Sequence, residues 1–162
     1  MEAASDAAKL LNAAWNDAIP VDPVAIARAA GLRVLEAELD EKTLGALVKS
    51  PGQDPVILLN EGDSDNRKRF TCAHELGHFV RRSAEEEEYA TVDLRNSHSS
   101  TGLDPEEIYA NEFAASLLMP ENVVRGFVEA GMSDLEMAIR FRVSREAMQN
   151  RLVNLELTAT AA

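Results

Sequence analysis

Phe70-Thr71-Cys72-Ala73-His74-Glu75-Leu76-Gly77-His78 decides how the rest of this 162-residue chain is read. On an α-helix, residues four apart project from one face, so His74 and His78 would address the same point with Glu75 beside them. Neutral imidazole is the commonest protein ligand for zinc, and a catalytic zinc keeps three protein ligands and one exchangeable water. His74 and His78 would supply two ligands, and Glu75 a general base. The competing use is a pair of satisfied histidines on an amphipathic helix. It has to explain why two of only three histidines in the chain fall within one turn, with a glutamate between them.

The flanking sequence supplies the helix that this chemistry needs. Gly62-Asp63-Ser64-Asp65 offers a start, and helical periodicity runs through Phe70, Ala73, Gly77 and Val80 to about Arg82. Upstream, residues 3–15 read as an amphipathic helix with Ala7, Leu10, Leu11 and Ala14 on one face. Asp22-Pro23 gives an N-cap and a first helical proline, and Gly31 closes that short helix. Strands are expected over residues 32–39, 43–49 and 55–59, the last a continuous apolar run that suits an interior position. Glu85 to Glu88 and the polar stretch from Arg95 to Gly102 read as an irregular connection, the acidic run as a solvated loop.

A second long helix is expected from Asp104-Pro105 to Met119, ending at Pro120. Shorter helices follow over residues 121–130, 133–141 and 144–155. The last two, joined at Arg142-Val143 with Ser144 as cap, resemble a helix-turn-helix. Leu135, Ala138, Ile139, Ala147, Leu152 and Leu155 are expected to pack that unit onto the core rather than present it to DNA. Residues 134–157 hold four arginines and four acids, so a phosphate-binding face is not indicated.

The fold class is therefore α+β, mostly helical with a small sheet of about three strands. One domain over residues 1–162 is expected: N-terminal helices in 1–31, the sheet in 32–60, metal-binding helices in 63–120 and a C-terminal helical unit in 121–157. A single cysteine, Cys72, excludes disulfide frameworks and multi-cysteine zinc sites, and it reads as a buried small hydrophobe. The net charge of −12 argues against unspecific attraction to nucleic acid or anionic membrane. No apolar run reaches membrane-spanning length and the start lacks the layout of a signal peptide, so a cytoplasmic location is expected.

The third ligand has to come from downstream. A third histidine six residues after the second would fall at Ala84, which removes that reading, and His98 is an isolated loop histidine. Carboxylates cluster at Glu106, Glu107 and Glu112. Glu107 is favoured because Asn111, one turn on, shares its face and could fix the tautomer of a ligand histidine. Ala110 and Ala114 would let the two helices approach closely. The competing use of Glu107 is a capping box with Asp104.

Arg69 to His78, together with Glu107-Ile108-Tyr109-Ala110-Asn111-Glu112-Phe113-Ala114-Ala115-Ser116-Leu117-Leu118-Met119-Pro120, closely resembles the ImmA/IrrE-type metallopeptidases, small bacterial zincins. Phe141-Arg142-Val143-Ser144, with Arg151-Leu152, resembles the segment that follows in that family. The resemblance implies a minimal zincin fold, with His74, His78 and Glu107 as metal ligands and Glu75 as catalytic base. It implies a metal-dependent endopeptidase that uses zinc, or another divalent ion such as manganese. The substrate class it suggests is a helix-turn-helix transcriptional repressor or antitoxin, with roles in transcription regulation and stress response. A non-proteolytic protein-binding or DNA-binding regulator on the same scaffold is the alternative. Substrate backbone would add to a sheet edge, for which residues 43–49 are the expected strand, with Gly45 and Ala46 leaving its surface open.

Overall fold

The computed structural model describes residues 2–84, 91–96 and 104–162. The acidic run from Glu85 to Glu88 and His98 lie outside them. Among the described residues, seven helices and four strands follow in the order α1 (Glu2–Ala14), α2 (Pro23–Ala29), β1 (Arg33–Ala37), β2 (Thr43–Lys49), β3 (Val56–Asn60), α3 (Asp65–Ala84), β4 (Thr91–Asn96), α4 (Pro105–Leu118), α5 (Glu121–Glu129), α6 (Asp134–Phe141) and α7 (Arg145–Asn154). The class is α+β, as the sequence predicts.

Local chemistry explains several boundaries. Asp22 caps α2 by accepting from the amides of Val24 and Ala25, and Gly31 beyond its end takes φ 91°, which glycine adopts without a Cβ penalty. Asp104 caps α4 through the Glu106 amide, with Pro105 in the first turn. Ser133 and Glu136 form a reciprocal capping box at the start of α6.

The sheet runs β1-β3-β2-β4, with β1 and β3 parallel and the other two pairs antiparallel. β4 is a fourth strand beyond the three expected, and it corrects the sheet's edge. β2 is paired on both sides, through Ala46 with Leu58 of β3 and with Leu94 of β4, so it is not an edge strand. Its small residues serve a different end. A Cβ at Gly45 would lie 2.5 Å from Thr71 Cγ2, 2.9 Å from the Leu58 carbonyl oxygen and 3.9 Å from Glu75 Cγ. The bare backbone at Gly45 is what lets α3 lie against the sheet. Because one of those atoms belongs to the backbone, Gly45→Ala should cost about 1–3 kcal/mol of stability, read from urea unfolding. A variant with wild-type stability would remove this account.

The core joins both halves. Ile57 and Leu59 from the sheet, Leu76 from α3, Phe113 and Leu117 from α4, and Phe141 beyond them are all 3% exposed or less. Cys72 is fully buried as expected, and burial pushes its thiol up to about 12, so it stays protonated. Arg69 fastens three regions, with Nη2 donating to the carbonyls of Val21 (2.6 Å) and Phe141 (3.4 Å).

The C-terminal unit departs from expectation on one face. Met137, Ala138 and Phe141 turn inward from α6, whereas Leu135 is 41% and Ile139 67% exposed. At 3.6 residues per turn these two lie roughly 100° or more around the helix from the centre of the buried set, although Leu135 is only about 60° from Ala138. The expected inward role of Leu135 and Ile139 therefore passes to Met137 and Phe141, while Ala138 and Leu152 keep theirs.

Candidate metal centre

α3 brings His74, Glu75 and His78 into the interior, at 0%, 1% and 4% exposure. α4 crosses α3 at Gly77, where a Cβ would stand 3.2 Å from Ala110 Cα and 3.1 Å from Phe113 Cδ1. The small pair Gly77 and Ala110 sets this approach, as the sequence predicts for Ala110. Glu107 sits one turn before Ala110, and its carboxylate therefore reaches the histidines beside Gly77. Two further ties hold the ligand-bearing end of α4. Arg82 Nη2 donates to Glu106 Oε2 at 2.9 Å, and the Tyr109 hydroxyl donates to Asp6 Oδ2 of α1 at 2.8 Å.

The resulting cluster is compact. His74 Nε2 and His78 Nε2 are 3.0 Å apart, and Glu107 presents Oε1 to His78 Nε2 at 3.0 Å and Oε2 to His74 Nε2 at 3.4 Å. One donor atom from each of the three residues falls within 4.8 Å of the others. Glu107 is thus directed at the histidines, while Asp104 caps the helix through Glu106. Neither Glu106 nor Glu112 belongs to the cluster.

Asn111 completes the arrangement. Its Oδ1 lies 2.9 Å from His74 Nδ1. An amide oxygen offers only lone pairs, so Nδ1 carries a proton, and in the neutral ring Nε2 then presents a lone pair to the cluster. Two imidazole nitrogens and a carboxylate converging in a buried space make a favourable donor set for a divalent cation. Asn111→Ala should weaken divalent-metal affinity about 10–100-fold without unfolding the protein, measured by competition with a chromophoric chelator. Affinity equal to wild type would show that the tautomer needs no such support.

The structure brings His74, His78 and Glu107 together and sets Asn111 against His74, as helical spacing predicts, but sequence reading missed the parts played by Gly77 and Tyr109. A glycine in the middle of a long helix was a usable signal for the first. For Tyr109 there was none, since its partner Asp6 lies 103 positions away.

A helix carrying two histidines one turn apart, crossed by a second helix that brings a glutamate to both, with a small mixed sheet against the first, defines a zincin-type domain. The chain belongs to the Peptidase_M78 family, whose model, the IrrE N-terminal-like domain, matches residues 27–153. It is similar to the radiation response metalloprotease IrrE of Deinococcus radiodurans, with 33% identity over 94 residues. That match covers 55% of this chain and 28% of the relative. It is also similar to uncharacterized immunity region protein 2 of Bacillus phage phi105, with 27% identity over 103 residues, 64% of this chain and 61% of that protein. The chain thus spans less than two thirds of the length of each of these relatives.

Proposed function

We propose that this protein is a metal-dependent endopeptidase. The observation that carries the reading is the convergence of His74, His78 and Glu107 beside the buried Glu75. His74 and His78 hold the ion through Nε2 and Glu107 through its carboxylate, with zinc as the resident metal and manganese as the alternative. Such an ion supplies a water of lowered pKa and a Lewis acid for the peptide carbonyl. Glu75 accepts the proton of the attacking water and returns it to the departing amine nitrogen. Asn111 keeps the His74 lone pair turned to the ion.

The substrate class is a helix-turn-helix repressor or antitoxin, cut to relieve repression. Support comes from the family resemblance and from the likeness to a phage immunity region protein. A cytoplasmic location fits such a substrate, and among the described residues no helix is long and apolar enough to cross a membrane. Direct DNA binding does not belong to this reading. Arg145 on α7 is held in two hydrogen bonds of 2.9 Å by Asp134, which leaves it poorly placed to read bases.

The test is co-incubation of the metal-loaded protein with helix-turn-helix proteins encoded beside it, with fragments followed by mass. Cleavage at one site is expected, and it should stop on chelation. Stable complexes without fragments would instead support a binding module.

A further inference from the structure

A cleft of about 480 Å³ is lined by residues from α1, the end of α4, the start of α5 and α7. It contains none of the metal-centre residues. Leu11, Ser116, Pro120 and Arg151 are its buried lining, and Trp15 and Asn122 also line it.

Two observations give this cleft a charge preference. Arg151 is only 6% exposed, yet it forms no ion pair among the described residues. Its Nε donates to the Met119 carbonyl at 3.1 Å and its Nη1 to Ser116 Oγ at 3.2 Å, which leaves Nη2 donating to nothing among those residues. Burial pushes the pKa of this guanidinium down, while the Glu121 and Glu112 carboxylates, beyond ion-pair distance, push it up. Independently, Pro120 precedes α5 and gives it no side-chain cap. The amides of Glu121 and Asn122 open the helix with no earlier turn to accept from them, at its positive end. Both residues line the same cleft.

The remaining lining narrows the ligand. Asp17 and the Glu121 carboxylate also border the cleft, the latter paired with Arg125 at 2.7 Å, and their charge disfavours a dianion. Ala4, Ala8, Leu11 and Trp15 supply an apolar wall. We propose that this cleft binds a monocarboxylate with a short apolar body. The carboxylate sits between Arg151 Nη2 and the amides that open α5, and the body lies against Leu11 and Trp15. Either a free acid or the C-terminus of a peptide presents this chemistry.

Trp15 is the only tryptophan in the chain, so its emission reports the cleft directly. The 162-residue chain would be titrated with N-acetyl-leucine as a chain-terminus mimic, 4-methylpentanoate as a free acid, N-acetyl-leucinamide and inorganic phosphate. A saturable change in emission is expected with the two carboxylates and none with the amide or phosphate. Tighter binding of N-acetyl-leucine assigns a peptide terminus, and tighter binding of 4-methylpentanoate a free acid. Asn122→Asp places a negative charge in the first turn of α5, which suits the helix and repels the ligand, so it should fold normally and bind about tenfold more weakly. No saturable response to either carboxylate, an equal response to the amide, preferential binding of phosphate, or undiminished binding by Asn122→Asp would each overturn the proposal.

Discussion

Glu75→Gln should leave the fold and the metal content intact and lower peptide cleavage by about 10²–10⁴-fold, the usual worth of a positioned general base. The argument is one of shape and charge. Gln fills the space of Glu in a position only 1% exposed, so the packing around it is kept. Its amide cannot accept and return a proton at neutral pH. His74, His78 and Glu107 are untouched, so the ion should be retained in full. The measurement pairs turnover on a cleaved partner with metal content by atomic emission. Wild-type turnover in Glu75→Gln would remove Glu75 from the chemistry, whatever the metal content showed.

Glu107→Ala should have the opposite signature, losing metal first and activity as a result. Removal of the carboxylate leaves two neutral imidazoles with Nε2 atoms 3.0 Å apart and no anionic donor between α3 and α4. Affinity should fall by more than the roughly 10–100-fold that loss of an outer hydrogen-bond partner costs. The fold itself should survive, because Glu107 is one-fifth exposed and Asp104 retains the cap of α4. Dialysis against limiting zinc followed by metal analysis tests it. Full occupancy in Glu107→Ala would return that residue to a role in helix initiation.

Much of the site was legible because its chemistry is local. His74, Glu75 and His78 lie within one turn, and Asn111 stands one turn from Glu107, so helical spacing alone predicts which side chains share a face. Caps are equally local: Asp22, Asp104, Ser133 and Ser144 each bond within three residues of themselves. The sheet was less legible. β4 alternates over only Val92-Asp93-Leu94-Arg95, between a charged stretch and a polar one, and whether β2 is an edge depends on this strand more than forty positions downstream. Gly45 and Ala46 look like an open surface in sequence, but Gly45 lies against Thr71 and Glu75 and Ala46 is buried.

The sequence by itself determined which residues could form a metal centre and on which helices they ride, since turn-by-turn geometry is written in residue spacing. Only the tertiary structure decided which of the clustered acids meets the histidines. That choice rests on the close crossing of α3 and α4 at Gly77 and Ala110 and on the ties from Arg82 and Asp6. These contacts join residues far apart in the chain, and their geometry follows from how side-chain volumes fill one core, which no local pattern records.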